Sequence, residues 1–138
     1  MRAYILGAVA AAAVLLGAGQ AVAHHSFAAE FDADKPVTLK GIVTKIDWTN
    51  PHVWFYINVK DDDTGEVSNW GAEMGPPHGL QRRGWRRDTL KIGEEVTVSG
   101  SLAKNGSKRL NARTVTMTST GARPGETLDA VSSQRDSQ

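Results

Sequence analysis

Residues 37–48 read VTLKGIVTKIDW, and the apolar pattern of this stretch indicates the fold. Its apolar residues fall into two alternating phases, with Val37, Leu39 and Val43 in one and Ile42, Ile46 and Trp48 in the other. A glycine near a change of phase inside a strand indicates a β-bulge or a sharp bend. We therefore expect a long first strand that bends near Gly41.

Alternating patterns and turn residues predict four further strands and one short helix. The predicted strands cover residues 37–48, 53–60, 67–74, 94–103 and 108–118, and the helix begins near Pro76 or Pro77. Three strands, a helical linker and two more strands, with the first strand long and bent, match the OB-fold. The predicted fold class is all-β, a small five-stranded OB-like barrel with a short helix between strands 3 and 4. An open β-sandwich of the same strands is the alternative.

The first 23 residues predict a secretory signal peptide. Arg2 provides a positive start, residues 3–16 are apolar, and Ala21-Val22-Ala23 fits a cleavage site. The apolar run is shorter than the about 20 residues that a membrane span needs. We expect a periplasmic or secreted protein of a Gram-negative bacterium, with no stable membrane insertion after cleavage. An uncleaved N-terminal anchor is the alternative.

The mature chain is predicted to be one domain. Residues 24–118 would form the OB-like barrel with an irregular N-terminal arm over 24–36, and residues 119–138 a disordered tail, because they are small, polar and aperiodic. The absence of cysteine excludes disulfides, thiolate metal sites and cysteine catalysis. Removing residues 1–23 leaves fifteen basic and fifteen acidic residues, a balance that argues against nucleic acid as a partner.

Three motifs stand out in the mature chain: HHSFAAEFD at its start, then KGIVTKIDWTNPHVWFY, then GLQRRGWRRDTLKIGEEVTVSG. Together they resemble a widespread family of short exported bacterial proteins that is catalogued only as a domain of unknown function. The resemblance covers residues 24 to about 117, and the His-His pair and the Asn-Pro-His triplet match the family pattern. It implies export and a small β-barrel, and it implies no particular activity.

Cleavage after Ala23 would make His24 the first residue. An α-amino group has a pKa near 7.7–8.0 and histidine one near 6.5, so both can become nitrogen donors at neutral pH. The amine and Nδ1 of His24 can chelate one ion as a histidine brace, and His25 offers a second route through the amine, a deprotonated amide and its imidazole. Such nitrogen donors suit Cu(II) or Ni(II), and Cu(II) is bound most tightly.

A folded metal site also needs a ligand from the barrel. His52 is the best candidate, because it lies in the predicted loop between strands 1 and 2, where OB-folds bind ligands. His78 follows strand 3, close to Met74. The predicted metal ligands are His24, His25, His52 and His78. Copper is the expected ion, and zinc is the alternative because Glu30 or Asp32 could add a carboxylate. Without a metal, His52 would cap a turn and His78 would be exposed.

A basic cluster offers a different function. Residues 80–113 contain nine basic and three acidic residues, whereas residues 24–79 contain four basic and nine acidic ones. This asymmetry can bind an anionic ligand or a periplasmic protein on one face. The predicted ligand-binding residues are Arg82, Arg83, Trp85 and Arg86. Alternatively, Trp85 packs in the core and the arginines pair with the acidic half.

No arrangement of residues identifies an enzyme, and a nucleophile motif such as G-x-S-x-G is absent. The sequence therefore favours an exported, non-enzymatic copper carrier or buffer. An interaction module without metal is the first alternative, and a redox enzyme at a copper brace is the second. Four aromatic residues on the strands, Trp48, Trp54, Tyr56 and Trp70, add a further hypothesis, because some must face outward and can bind sugars or other flat ligands. A protein interface and packing under the N-terminal arm are the alternatives.

Overall fold

The computed structural model describes residues 27–118 and 125–130. Its helices and strands are α1 (Phe27–Glu30), β1 (Phe31–Asp47), β2 (Trp54–Lys60), β3 (Val67–Glu73), α2 (Pro77–Arg82), β4 (Glu95–Ala103), β5 (Arg109–Met117) and β6 (Thr127–Asp129). Among these residues, no helix has the length and hydropathy to cross a membrane. The predicted signal peptide, His24 and His25 lie outside the described residues.

β1 organises the sheet, because it pairs with two different neighbours. Its N-terminal part is antiparallel to β4 and its C-terminal part to β2, and Ile42 pairs with both. The register against β2 shifts between Val43 and Lys45, so the irregularity expected near Gly41 is present. A Cβ on Gly41 would lie 2.6 Å from the carbonyl oxygen of Asn58. Glycine therefore allows the backbone of β2 to approach β1 closely here.

Parallel pairing between β3 and β5 closes five strands into a ring. The strand order is β3-β2-β1-β4-β5, and residues 71–73 of β3 pair with residues 109–111 of β5. α2 follows β3 and precedes β4. The ring and the position of the helix confirm the predicted all-β, OB-like fold, rather than the open sandwich.

The hydrophobic core fills the inside of the ring. The inward-facing apolar strand residues are Val43, Phe55, Ile57, Ala72, Val96, Val98, Leu110, Ala112, Val115 and Met117. Met74, Leu80, Trp85 and Leu90, which lie outside the strands, are buried in the same cluster. Burying a large apolar side chain contributes about 1.5–3 kcal/mol. Core packing and strand pairing therefore hold together a chain that has no cysteine.

The N-terminal arm is more regular than predicted. The pattern suggested an irregular segment over residues 24–36, but Phe27–Glu30 are helical and β1 begins at Phe31. Phe31 is 3% exposed, and its ring stacks on that of Phe27 with centroids 6.0 Å apart. These two rings attach the arm to the sheet.

Residues 125–130 also depart from the prediction, which placed them in a disordered tail. They include β6, which pairs with β5, and Ala130 is fully buried. The indole Nε1 of Trp85 donates a hydrogen bond to the carbonyl of Asp129 at 2.8 Å. The backbone N–H of Gly75 donates to the carbonyl of Ala130 at 3.0 Å. Because these partners are distant in the chain, local composition does not reveal the strand.

Gly41→Ala is expected to lower the free energy of unfolding by about 1–3 kcal/mol, as overpacked sites do. The added methyl group would meet the backbone carbonyl of Asn58, which cannot move without disturbing β2. Urea denaturation measures the change. Gly79→Ala in α2 is the control, because its Cβ would lie 3.5 Å from Pro76 and alanine favours a helix. Equal stability of the two variants would contradict the role given to Gly41.

Candidate functional site

A concave surface of about 360 Å³ lies where the β1–β2 loop meets the end of β3 and the start of β5. It is lined by Glu30, Thr49, Asn50, Pro51, His52, Trp54, Glu73 and Arg109. The Asn50–Pro51 peptide bond in this loop is cis. The surface contains His52, one of the predicted metal ligands, together with Glu30.

A buried carboxylate holds the imidazole of His52. Nδ1 of His52 lies 3.1 Å from Oε1 of Glu73, and the two side chains are 18% and 9% exposed. Nδ2 of Asn111 donates a hydrogen bond to the same oxygen at 3.3 Å. Because a carboxylate only accepts hydrogen bonds, Nδ1 carries a proton. In the neutral ring, Nε2 therefore bears the lone pair.

The closure of the ring explains why these three side chains meet. Glu73 and Asn111 are register partners in the parallel β3–β5 ladder. Glu73 is also the partner of Trp54 in the β2–β3 ladder, next to the loop that carries His52. Neither Glu73 nor Asn111 was predicted from the sequence as a site residue. A carboxylate within the small, apolar run Gly-Ala-Glu-Met-Gly was the available signal, because buried acidic residues are rare unless they are paired.

The hydrogen bond to Glu73 raises the pKa of His52 above its usual value. The negative charges of Glu73 and Glu30 act in the same direction, whereas burial opposes the shift. A protonated His52 compensates the buried carboxylate of Glu73. In the absence of a metal ion, this loop therefore holds its positive charge to a higher pH than a free histidine would.

The structure does not bring His78 to the same place. His78 is exposed in α2 and does not line the concave surface of His52. Met74, which the sequence placed near it, is fully buried in the core. Within residues 27–118 and 125–130, no group of three or more His, Cys, Asp or Glu could hold a metal ion.

The predicted ligand-binding set needs one correction. Trp85 is fully buried in the core cluster, and its indole N–H is bonded to the carbonyl of Asp129. The ring is therefore not available to a ligand at the surface. Arg82 and Arg86 are exposed, and Arg83 is partly buried. Anion binding by the three arginines stays a prediction, without the contribution of Trp85.

A larger concave surface, of about 550 Å³, lies elsewhere on the sheet. It is lined by residues that include Lys40, Lys60, Asp62 and Glu95, and Lys40 and Glu95 form an ion pair at 3.1 Å. None of the predicted site residues lines it. The buried His52–Glu73 pair makes the smaller surface the better candidate site, because perturbed ionisable groups concentrate at functional sites.

The fold and the site define a small OB-like protein with a carboxylate-bound histidine in its β1–β2 loop. The chain belongs to a family of unknown function (DUF6152), whose sequence model matches residues 11–112. This result confirms the resemblance that the three motifs indicated. No curated protein and no solved structure matches the chain.

The free energy of unfolding is expected to depend on pH through His52. Because its pKa is raised on folding, the protonated His52–Glu73 pair stabilises the fold fully below about pH 6.5, the pKa of an unfolded histidine. This contribution is lost as the pH rises through the folded pKa. Denaturation in the presence of a metal chelator measures the free energy of unfolding of wild type and of His52→Gln. The difference between these two free energies should shrink as the pH rises.

The exposed His78 provides the control for this experiment, because His78→Gln removes a histidine that has no buried carboxylate partner among residues 27–118 and 125–130. The difference in the free energy of unfolding between His78→Gln and wild type should not shrink as the pH rises. A His52→Gln difference that stays constant from about pH 5 to about pH 9 would contradict an ionised pair in the fold.

Proposed function

We propose that this protein is an exported, non-enzymatic metal carrier or buffer. Its site would combine His24 and His25 with His52, and copper would be its ion. The observation that supports this proposal is the contact between Nδ1 of His52 and Glu73. Metal-binding histidines almost always donate their other ring N–H to a carboxylate, a carbonyl or water.

The second nitrogen of His52 is the one that would bind the ion. Nε2 has no hydrogen-bond partner within the described residues, and His52 lines an open concave surface. Glu73 in turn is held by Asn111, so the orientation of the imidazole is set by two strands of the ring. A ligand fixed in this way loses little conformational freedom when a metal binds.

Covalent geometry allows the mature terminus to reach this surface. Three residues connect His24 to Phe27, so their Cα atoms are at most about 11 Å apart. Phe27 to Glu30 is one turn of helix, which adds about 5 Å. Glu30 lines the same surface as His52. A site made from His24, His25 and His52 is therefore within the reach of the chain.

The donor set favours copper. An amine and imidazoles are nitrogen ligands, which suit Cu(II), and Cu(II) has the highest affinity of the common divalent ions for such sites. Glu30 could add an oxygen ligand, and a site of histidines and a carboxylate also suits zinc. We favour a metal carrier over an enzyme, because the buried carboxylate of Glu73 is already bound by His52 and Asn111.

The first test compares Cu(II) binding to protein that begins at His24 with binding to the same protein after acetylation of its α-amine. Acetylation removes the amine from the chelate without adding a residue, so affinity should fall at least about 100-fold, or about 2.7 kcal/mol. Calorimetric titration with a competing chelator measures the Cu(II) affinity of both proteins. A parallel titration with Zn(II) identifies the preferred ion. N-terminal sequencing of the exported protein should identify His24 as its first residue.

His52→Ala tests the ligand from the barrel. It should also weaken Cu(II) binding strongly, whereas His78→Ala should leave it unchanged, because His78 is exposed in α2 and outside the site. Unchanged affinity after acetylation would eliminate the terminal amine as a ligand. Unchanged affinity in His52→Ala would eliminate the role of the barrel.

Glu73→Gln tests whether the carboxylate positions His52. Loss of such a partner typically weakens metal binding by about 10–100-fold, because the imidazole becomes less basic and less well oriented. Glu66→Gln, in the exposed β2–β3 turn, makes the same change of charge and should bind copper normally. Equal affinities of the two variants would show that Glu73 has only a structural role.

A further inference from the structure

The outer face of β2 and β3 carries two stacked aromatic rings next to Gly71. Trp54 and Tyr56 project from the same face of β2, with ring centroids 6.5 Å apart and planes inclined by 23°. A Cβ on Gly71, the cross-strand partner of Tyr56, would lie 3.3 Å from Tyr56 and 3.4 Å from Trp54. Glycine at this position therefore leaves room for both rings, and both stay partly exposed.

Two exposed amides continue this face along the same strands. Asn58 and Asn69 are register partners, and Nδ2 of Asn69 donates to Oδ1 of Asn58 at 2.9 Å and to Oγ1 of Thr44 at 3.1 Å. In the part of the chain that the structure describes, Nδ2 of Asn58 and Oδ1 of Asn69 have no partner. The pair therefore presents one hydrogen-bond donor and one acceptor side by side to solvent.

The charge of this face is concentrated at the end that holds Trp54. The guanidinium of Arg109 lies 5.6 Å from the Trp54 ring centroid and makes no ion pair with any residue the structure describes. Lys45 lies 5.3 Å from the Tyr56 ring centroid, but its ammonium is paired with Asp47 at 2.7 Å. Arg109 is thus the cation on this face that can receive an anionic group.

We propose that this face, formed by Trp54, Tyr56, Asn58, Asn69 and Arg109, binds an oligosaccharide that carries carboxylate groups. The C–H faces of sugar rings pack on aromatic rings, and their hydroxyls pair with an amide donor and acceptor. A guanidinium binds a carboxylate through two parallel hydrogen bonds. From Trp54 to Asn58, β2 spans about 13 Å, enough for a short oligosaccharide. Strands 2 and 3 also form the ligand face of many OB-folds.

The distribution of charge favours this ligand over single-stranded nucleic acid, which also stacks on aromatic rings. Nucleic acid carries one phosphate per nucleotide, and tight binding requires several Lys or Arg side chains along the strand. Among the described residues of this face, Arg109 is the cation without an ion-pair partner, since the charge of Lys45 is paired with Asp47. A ligand with few negative charges therefore fits better than a polyanion.

The test uses three probes: an oligogalacturonate, a neutral malto-oligosaccharide and oligothymidylate. Binding is measured by tryptophan fluorescence and calorimetry at low salt, with a chelator present so that no metal takes part. The oligogalacturonate should bind most tightly, and Trp54→Ala should abolish its binding. Arg109→Gln should weaken it at least about tenfold, the effect of losing one charge-assisted contact. Arg113→Gln, which removes an exposed arginine of the same strand, should have no effect.

Three results would overturn the proposal: no binding of the oligogalacturonate, equal binding by wild type and Arg109→Gln, or tighter binding of oligothymidylate. Circular dichroism and thermal melting show whether each variant folds. If Trp54→Ala does not fold, Arg109→Gln and Asn58→Ala decide the question, because both replace exposed side chains.

Discussion

The architecture depends on a single strand that serves two partners. β1 pairs with β4 through its first part and with β2 through its second, and the change occurs around Ile42. At this point Gly41 lets the backbone of β2 come close, and the register shifts just beyond it. Without this bend the β2–β3 and β4–β5 hairpins would extend in one open sheet. With the bend, β3 and β5 meet in parallel and the ring closes.

The β3–β5 pairing then determines where chemistry can occur. It sets Glu73 beside Asn111, which holds the Glu73 carboxylate, and this carboxylate in turn holds the imidazole of His52 from the β1–β2 loop. It also sets Arg109 beside Gly71, across which the rings of Trp54 and Tyr56 lie. The proposed metal site and the proposed saccharide face are neighbours because both are built along this one contact between two strands.

Local features of the fold could be predicted because their causes are local. Alternating apolar residues placed β2 and β4. The turn between β4 and β5 contains Asn105-Gly106, a dipeptide that favours tight turns, and Gly106 has a φ of 75°. The helix after β3 followed from Pro76 and Pro77. Each of these patterns reflects a conformational preference of a few consecutive residues, so neighbouring sequence is sufficient.

The sequence by itself determined the succession of five strands and a helix along the chain, the bend near Gly41, the exclusion of cysteine chemistry and the choice of His52 as a candidate ligand. Only the tertiary structure decided that His52 is held by Glu73, which Asn111 holds in turn, that Trp85 is core, and that residues 125–130 add a strand. Glu73 and Asn111 are 38 residues apart, and Trp85 and Asp129 are 44 apart. Periodicity shows which face of a strand is buried, but the partner across the ring is set only when the distant strands pair.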